Sequence, residues 1–261
     1  MKSLCDKTYV KDQYESANKL NDRIYLHHHY STNKQGWMNW VFEQLSSLEG
    51  EQLLEIGGGT GALWETAGSN LPPSWQITFS DQSEAMVKKS CTHLNADSFV
   101  CLQLDGQKLP FPDVSFDGVI ANHMFYHLPD LPAALQEICR VLRPKGYLFA
   151  TTVGKTHTSK LKSMISRFVP SYEAKESAPS FNLENGASKL SPYFAEVERR
   201  DYEDSLFITE SEPLVRYAKS LVTELPEATF REYVSSLMSQ DGHIKIGKSS
   251  GLFIARKCYP S

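Results

Sequence analysis

The chain has 261 residues, 41% of them hydrophobic, and its formal net charge at pH 7 is −4. This length suits one large α/β domain with insertions, and the composition is that of a globular protein rather than a disordered one. The lack of a long basic run in the sequence argues against a surface that tracks nucleic-acid phosphates. We expect neither a signal peptide nor a transmembrane helix, because no apolar run in the sequence is long enough for one.

The five cysteines are scattered along the chain, at Cys5, Cys91, Cys101, Cys139 and Cys258. No two of them form a C-x-x-C pair, the spacing typical of metal-binding and redox-active sites. We therefore expect reduced thiols in a cytoplasmic protein, and no bound metal. The expected assembly is a monomer or a homodimer.

Residues 1–35 are rich in polar and aromatic side chains and include three adjacent histidines at positions 27–29. Consecutive residues do not converge on one point in a helix, so a metal site is disfavoured. Residues 36–48 repeat apolar side chains at helical spacing and predict a helix. Tyr30 and Trp37, near the start of this helix, suit a ligand pocket as well as they suit the core.

The stretch from Leu53 to Gly61 organises the rest of the chain. A short apolar run that ends at Ile56 predicts a buried strand, four glycines follow within five positions, and a helical pattern begins at Ala62. Glycine permits positive φ and close approach to a ligand, and a strand that turns into a helix presents N–H groups to an anion. The turn could also do no more than connect the strand to the helix.

Two ligand-binding motifs compete for this turn. Gly57, Gly59 and Ala62 satisfy the G-x-G-x-x-G/A fingerprint of dinucleotide-binding proteins. With Gly61 in place of Ala62, and with Glu55 before them, the glycines instead resemble motif I of class I S-adenosylmethionine (SAM) methyltransferases. A carboxylate would repel a pyrophosphate but complements the ammonium and sulfonium charges of SAM, so Glu55 favours the second interpretation.

An acidic residue follows the second predicted strand. Residues 75–80 alternate as a strand and end at Asp81, about 20 positions past the glycines, where a carboxylate suits the diol of a ribose. Asp81 could also, or instead, cap the helix predicted over 82–92, and both roles can hold because a carboxylate has two oxygens. Ser83 to Met86 resemble the S-x-x-M step that follows this acid in SAM enzymes.

The most specific pattern in the chain follows a third predicted strand, residues 98–104. Residues 105–117 are DGQKLPFPDVSFD, and they resemble the D-A-x-x-L-P-F-x-D-x-S-F-D segment of the methyltransferase domain 11 family, which includes UbiE-like small-molecule methyltransferases. Gly106 replaces the usual alanine, a small change that keeps the backbone open to the adenine edge. The resemblance covers residues 50–154, and its motifs, taken in order, favour SAM over NAD.

The remaining elements complete the predicted fold. Strands are predicted over 116–121, 147–153, 193–200 and 244–255, a helix over 131–142 with its stop at 143–146, and two helices within 208–240. The resemblance implies an α/β fold with a Rossmann-like, seven-stranded, mostly parallel sheet and helices on both faces. Residues 1–35 are expected to form a helical lid. The methyltransferase domain is expected over 36–261, with its core at 50–154 and 193–258 and a lid insertion at 208–240.

The resemblance implies that SAM is the cofactor and S-adenosylhomocysteine the product. The residues expected to bind the cofactor are Tyr30, Glu55, Gly57, Gly58, Gly59, Gly61, Asp81, Gln82, Met86, Asp105, Gly106, Gln107, Asn122 and His123. Those expected to bind the acceptor are Trp37, Tyr126 and Tyr217. His123 and His127 follow the fourth strand and are candidate bases for a hydroxyl acceptor, although each suits a packing or capping role at least as well.

A small-molecule acceptor is the expectation that the sequence favours. Enzymes that methylate an exocyclic base amine resemble one another in an N-P-P-[FY] tetrad after strand four, and residues 122–125 lack both prolines. Methylation of base C5 uses a cysteine that follows a proline, and no cysteine of the sequence does so. We therefore expect methyl transfer to an oxygen or nitrogen atom of a small molecule, by in-line displacement. The alternatives are methylation of RNA or protein, and a non-catalytic SAM-binding partner subunit.

Overall fold

The computed structural model describes residues 17–48, 50–94, 97–175 and 180–258. The helices are α1 (Ala17–Tyr30), α2 (Trp37–Gln44), α3 (Ala62–Ala67), α4 (Glu84–Cys91), α5 (Leu131–Val141), α6 (Ser159–Ser166), α7 (Pro170–Lys175), α8 (Gly186–Leu190), α9 (Ser211–Leu221) and α10 (Glu227–Asp241). The strands are β1 (Gln52–Ile56), β2 (Gln76–Asp81), β3 (Phe99–Gln103), β4 (Phe116–Asn122), β5 (Leu142–Val153), β6 (Glu196–Ile208) and β7 (Ile244–Arg256). The first part of the predicted lid, residues 1–16, lies outside the described residues, and Cys5 with it.

The seven strands form one sheet in the order β3-β2-β1-β4-β5-β7-β6. The neighbouring pairs from β3 to β5 are all parallel. Backbone hydrogen bonds join Lys257 to Gly146 and Gly154 to Ser249. Because these partners follow opposite order along the two segments, β7 runs antiparallel to β5. The predicted class, a Rossmann-like and mostly parallel seven-stranded sheet, is confirmed.

The central strands are buried on both faces. Alternate residues of β1 enter two different apolar clusters, one that contains Leu54 and one that contains Leu53. Helix α5 contributes Ile138 to the first cluster, while α2 contributes Val41 to the second. Successive side chains of a strand point to opposite faces, so helices cover both sides of β1. This explains why β1 is an almost continuous apolar run.

The chain divides into two compact units. Among the described residues, the first unit comprises 17–36, 154–175 and 203–250, and the second comprises the others. The second unit contains β1 to β5 and the family motifs. The described parts of the two segments predicted to form a lid, 1–35 and 208–240, both belong to the first unit, where α1 packs on α9.

A buried ion pair anchors the first unit. Asp204 of β6 pairs with Lys248 of β7, and their side chains are 0% and 8% exposed. Asp204 also accepts the hydroxyl of Ser31 and, at 3.0 Å, the N–H of Asn33. Burial would raise the pKa of Asp204, but Lys248 and these hydrogen bonds hold it below its usual value. The carboxylate therefore fixes the segment after α1 to the sheet.

Three elements differ from their predicted bounds by more than two residues at one end or more. Strand β5 begins at Leu142, before the predicted stop, and the pairing with β4 then shifts from Leu142 to Tyr147, so that the intervening residues bulge out. Strand β6 begins at Glu196 and continues to Ile208. Helix α2 ends at Gln44 and a 3₁₀ turn follows it. Pairing with a neighbouring strand sets the first two boundaries, and a local pattern does not report such pairing.

Cys91 and Cys101 form a disulfide, with 6.3 Å between their Cα atoms. The expectation that every cysteine is a reduced thiol is therefore wrong for these two. Cys91 ends α4 and Cys101 lies in β3, which packs against that helix, so the pair arises from the fold rather than from a C-x-x-C spacing. Cys139 and Cys258 are free thiols. Reduced thiols therefore no longer support a cytoplasmic location, which stays a prediction.

Candidate active site

The loop after β1 needs glycine at three positions for its backbone conformation. Gly57, Gly59 and Gly61 have φ values of 69°, 57° and 76°, a region that costs a residue with a Cβ about 1–2 kcal/mol. Gly61 is the N-cap of α3, and its N–H donates to the carbonyl of Gly58 at 3.0 Å. The predicted strand, turn and helix are all present, and the turn is tight.

The fourth glycine, Gly58, is required by space. A Cβ here would lie 2.2 Å from the ring of Phe79 and 2.7 Å from a carboxyl oxygen of Glu55. Glu55 is 1% exposed and accepts a hydrogen bond from the indole N–H of Trp64. Burial raises the pKa of Glu55 to about 8, against the opposing bond from Trp64 and with a contribution from Asp81. Glu55 thus lies buried beneath the loop, and its role as a direct charge partner of a ligand stays a prediction.

Asp81, at the end of β2, holds the glycine loop from the side. One carboxyl oxygen accepts the N–H of Gly59 at 2.9 Å, and the other accepts the N–H of Ser83 at 2.8 Å. Burial raises the pKa of Asp81, and these hydrogen bonds oppose the rise. The N-cap of α4 is Ser83, whose hydroxyl accepts the N–H of Met86, so the capping alternative for Asp81 is wrong. A backbone hydrogen bond from Gln82 also reaches this carboxyl group, and two carboxyl oxygens together offer about four acceptor sites, so further donors can bind.

Helix α4 carries the other predicted residues on this side of the loop. Gln82, just before the helix, is exposed, and its carbonyl accepts the side-chain amide of Gln103 at 3.0 Å. Met86 is half-buried in the first turn. Near the end of the helix, the fully buried Ser90 donates its hydroxyl to the carbonyl of Gly59 at 2.8 Å. Helix α4 therefore contacts the glycine loop directly.

Asp105 and Gln107 are bonded to each other in the loop after β3. One oxygen of Asp105 accepts both the backbone N–H and the side-chain amide of Gln107, at 3.0 and 2.9 Å. The amide oxygen of Gln107 accepts the N–H of Asp130, the N-cap of α5, at 2.9 Å. A Cβ at Gly106 would lie 2.8 Å from a methyl group of Ile56. The space beside Gly106 is therefore too small for a Cβ without a shift of Ile56, and its place beside the adenine edge stays a prediction.

Most of the family segment after β3 is bonded to α5. Arg140 of α5 donates to the carbonyls of Leu109 and Phe111, at 2.9 and 2.7 Å. The same guanidinium pairs with Asp113 at 2.8 Å. Asp117 accepts two backbone N–H groups at the start of β1. Burial would raise the pKa of Asp117, but these bonds and an arginine hold it below its usual value. The pattern that made the segment recognisable is therefore largely structural.

The end of β4 has an unusual backbone conformation. His123 has a φ of 53°, in the left-handed region that residues with side chains rarely adopt. Its N–H donates to the hydroxyl oxygen of Thr151 at 2.9 Å, and that hydroxyl donates to the side-chain oxygen of Asn122 at 2.6 Å. The amide of Asn122 contacts the sulfur of Met38 at 3.6 Å. Such conformations persist where neighbours fix them, often at functional sites.

Aromatic rings surround His123. Its ring centroid lies 5.0 Å from that of Trp37 and 6.3 Å from that of Tyr126. Trp37 also meets Tyr202 edge-on at 5.2 Å, and its indole nitrogen is buried with no hydrogen-bond partner among the described residues. The ring centroid of His127 lies 4.5 Å from that of Tyr126. The structure thus groups two predicted acceptor residues with both candidate bases.

Met124 connects the loops at this edge of the sheet. A Cβ at Gly57 would lie 2.9 Å from the Cβ of Met124, and a Cβ at Gly106 would lie 3.5 Å from the methyl group of the same side chain. The loops after β1, β3 and β4 therefore meet, and Asp81 adds the end of β2. The predicted residues brought together at this edge are Gly57, Gly58, Gly59, Gly61, Asp81, Asp105, Gly106, Gln107, Asn122 and His123.

Tyr30 and Tyr217 belong to the first unit. Tyr217 is 8% exposed, and the ring of His27 meets it edge-on at 5.6 Å. Burial raises the pKa of Tyr30, and the charge of Glu210 adds to the rise. The roles of both tyrosines as ligands of cofactor or acceptor stay predictions. In the described part of the chain no cluster of three or more His, Cys, Asp or Glu side chains suits a metal ion, and no helix has both the length and the apolar content to cross a membrane.

Four residues of the site were not predicted. Thr151 fixes the end of β4, Trp64 binds Glu55, Ser90 holds Gly59, and Met124 connects the loops. A threonine among apolar residues of a buried strand is a signal that could have pointed to Thr151, because a buried hydroxyl needs a partner. The other three contacts leave no comparable local pattern.

Comparison with known proteins identifies the family of the domain that contains this edge. Residues 54–150 match the family model described as Methyltransferase domain. The demethylmenaquinone methyltransferase of Desulfitobacterium hafniense (strain Y51) is 30% identical over 151 residues, which are 56% of this chain and 59% of that protein. The ubiquinone/menaquinone biosynthesis C-methyltransferase UbiE of Pseudomonas putida (strain F1) is 31% identical over 131 residues, which are 49% of this chain and 51% of that protein. The chain thus spans about half to three fifths of the length of these curated relatives.

A solved structure agrees with the fold. The SAM-dependent methyltransferase from Aquifex aeolicus superposes with a TM-score of 0.56 at 16% identity, over 93% of this chain and 97% of that one. At this identity the likeness concerns the fold alone. The family match covers the glycine loop, Asp81 and the segment after β3, and it confirms the recognition made from those motifs, with SAM as the cofactor rather than NAD. Residues 54–150 are a methyltransferase domain of the class I, SAM-dependent type, similar to the UbiE-like enzymes.

Proposed function

We propose that the chain transfers the methyl group of SAM to an oxygen or nitrogen atom of a small-molecule acceptor, by in-line displacement. The observation that carries the proposal is the hydrogen bond from Gly59 to Asp81. It joins the glycine loop and the candidate ribose acid inside a methyltransferase domain. Ligands of open α/β sheets bind at the carboxyl ends of the strands, where both residues lie.

Each loop of this edge is assigned one part of the cofactor. The backbone of Gly57 to Gly61 allows close approach of the amino-acid part of SAM, because three of its glycines have positive φ. Asp81 accepts the two ribose hydroxyls, which would also favour the ionised form that burial opposes. The loop that contains Asp105 and Gly106 borders the adenine. Glu55 is assigned a positioning role beneath the loop, in agreement with its burial.

Methyl transfer from a sulfonium depends mainly on alignment of the acceptor with the breaking bond, which can supply about 7–11 kcal/mol of the barrier. The ring group of Trp37, His123 and Tyr126 offers flat surfaces against which an acceptor can be held. Aromatic faces also stabilise a cation such as the sulfonium of SAM, by about 0.5–2 kcal/mol per contact. A hydroxyl acceptor also has to lose a proton, and an imidazole is the side chain suited to accept it near neutral pH. His123 is favoured over His127, because its backbone is fixed and its ring packs on Trp37.

A second candidate function is methyl transfer to a ring carbon. It is favoured by the names of the two curated relatives, one a demethylmenaquinone methyltransferase and the other a C-methyltransferase. In that case the acceptor is an aromatic ring that stacks on Trp37 and Tyr126. Methylation of RNA or protein, and a non-catalytic partner subunit, remain the alternatives without an observation in their favour.

The test is binding followed by product analysis. Calorimetry should detect S-adenosylhomocysteine and give no heat with NADH, and the reverse result would refute the proposal. Incubation with methyl-labelled SAM and a library of phenols, quinols and amines should then label a small molecule. Carbon NMR of the labelled methyl group separates transfer to oxygen, nitrogen and carbon. Label found only in added RNA or protein would contradict a small-molecule acceptor.

The first unit is proposed to select the acceptor, as a lid formed by residues 1–35 and 208–240. What supports this proposal is that the described parts of both segments fold in one unit, apart from the residues that carry the cofactor motifs. Hydrogen exchange with and without S-adenosylhomocysteine tests it, since a lid should gain protection at residues 20–40. Protection confined to the glycine loop and to the loop that contains Asp105 would contradict a lid. A cytoplasmic location and a monomeric or dimeric state also stay proposals.

A further inference from the structure

We propose that Thr151 is a positioning residue of the acceptor site, which acts through Asn122 and His123. The inference rests on the proposed function, because it assigns the end of β4 to the reacting centre. Thr151 lies in β5, directly opposite Asn122 in the parallel pairing of β4 and β5. Its side chain is fully buried, at 0% exposure. It therefore acts on the site only through the residues that it contacts.

Both hydrogen-bonding functions of the Thr151 hydroxyl are engaged at the end of β4. Its hydrogen is donated to the side-chain oxygen of Asn122 at 2.6 Å, and its oxygen accepts the N–H of His123 at 2.9 Å. A hydroxyl has one donor and two acceptor lone pairs, so this geometry uses it in both directions. The end of β4 thus receives one hydrogen-bond donor and one acceptor from a single buried hydroxyl group.

The bond to the backbone of His123 bears on the unusual φ of 53° at this residue. An L-residue in the left-handed region is unfavourable, and such a conformation persists only when the surroundings hold it. The N–H of His123 lies just past the end of β4, and the Thr151 hydroxyl oxygen accepts its hydrogen bond there. The conformation in turn sets the direction of the imidazole, which packs on Trp37 at 5.0 Å.

The bond to Asn122 determines which way its amide group points. Because the oxygen accepts from Thr151, the nitrogen must face the other way, towards the sulfur of Met38 at 3.6 Å. An asparagine with a free choice could rotate and exchange its donor for its acceptor. In the opposite orientation the hydroxyl hydrogen of Thr151 would lose its acceptor and the sulfur of Met38 would lose its donor, so these two contacts together favour the orientation in which the amide presents its donors beside His123. A ligand at this edge would meet one arrangement of polar groups instead of two.

The adjacent residue shows what a purely structural threonine looks like here. Thr152 is also 0% exposed in β5, but its hydroxyl donates to the carbonyl of Phe181 at 2.9 Å, away from the end of β4. Both residues are β-branched and equally buried, and each loses one hydroxyl group in a change to valine. The pair therefore provides a matched control, in which only Thr151 touches the candidate site.

The experiment compares Thr151→Val, Thr151→Ser and Thr152→Val in the full chain. The first readout is the ¹⁵N-correlated spectrum of the His123 imidazole and backbone amide. Thr151→Val should shift both signals, Thr151→Ser should restore them, and Thr152→Val should leave them in place. The second readout is calorimetry with S-adenosylhomocysteine, because Asn122 and His123, which Thr151 holds, are also among the residues expected to bind the cofactor. Thr151→Val should bind about tenfold more weakly, the equivalent of one hydrogen bond, and Thr151→Ser about as well as the unaltered chain.

Unchanged His123 signals in Thr151→Val, or equal shifts in Thr152→Val, would overturn the inference. If Thr151→Val does not fold, Thr151→Ala, which leaves space instead of a misplaced methyl group, takes its place with the same expected results. The spectrum is recorded without cofactor or acceptor, so it tests the positioning of His123 whether or not the chain transfers a methyl group. Failure of the unaltered chain to bind S-adenosylhomocysteine would instead refute the proposed function.

Discussion

Replacement of Asp81 by asparagine tests the cofactor edge most directly. The carboxylate accepts the N–H groups of Gly59 and Ser83 at 2.9 and 2.8 Å, one on each oxygen. Asparagine has the same shape, but it has one acceptor oxygen, and its NH₂ group can only donate. The variant can keep one of these bonds and must lose the other. We expect a glycine loop that is less firmly held and a ribose site without its charge.

Two effects oppose each other in the stability of this variant. The lost bond to a charged acceptor is worth about 1.5–3 kcal/mol. However, burial raises the pKa of Asp81, so its charge carries a desolvation penalty that a neutral amide does not have. The free energy of unfolding should therefore fall by only about 1 kcal/mol. The affinity for S-adenosylhomocysteine has no such compensation and should fall by about 1.5–3 kcal/mol, or about 10- to 150-fold.

Calorimetry with S-adenosylhomocysteine and urea unfolding measure the two quantities separately. Ser83→Ala is the control, because it removes the N-cap of α4 and leaves the carboxyl group of Asp81 in place. It should cost about 1 kcal/mol of stability and leave the affinity nearly unchanged. If Asp81→Asn binds S-adenosylhomocysteine as tightly as the unaltered chain, Asp81 has a structural role only, and its assignment to the ribose is refuted.

Three further changes test the support of the site. The pKa of Glu55 rises from 4.5 to about 8 on folding, so stability should fall as pH rises through this window by up to about 1.4 kcal/mol per pH unit, and urea unfolding of Glu55→Gln should not show this loss. Gly58→Ala should lower the melting temperature more than Gly59→Ala, because a Cβ at Gly58 would overlap an aromatic ring whereas nothing lies within 4 Å of one at Gly59; equal losses would contradict the steric argument. Replacement of Cys91 and Cys101 by serine should cost about 2–3 kcal/mol of stability, and a reductant should destabilise the unaltered chain but not the double variant.

The glycine loop could be predicted because its demands are local. Positive φ at Gly57, Gly59 and Gly61 is a property of one turn between one strand and one helix, so the sequence of that turn reflects it. Asp81 could be predicted for a related reason, since a strand of ordinary length places its last residue at the edge where the loop lies. The four glycines do not share one cause, however. Gly58 is set by the distant side chain of Phe79, and no pattern within the loop indicates that.

Contacts between distant segments account for what the sequence did not predict. The acid before the glycines was visible as a charge, but its burial and its hydrogen bond from Trp64 were not. The disulfide of Cys91 and Cys101 depends on the packing of α4 on β3, which the spacing of the cysteines does not encode. In each case the residue type was visible in the sequence, and its partner was not.

The family pattern and the choice of acceptor depend on different residues. Arg140 binds the segment after β3 to α5 through two backbone carbonyls and the Asp113 carboxylate, and those contacts build the scaffold rather than the reacting centre. Chains that share this segment therefore share the frame of a cofactor site, whereas their acceptors can differ. The residues that face the acceptor in our proposal, Trp37, His123 and Tyr126, lie outside that segment. Identification of the acceptor must accordingly start from this ring group and from the Thr151 hydroxyl that holds the backbone of His123.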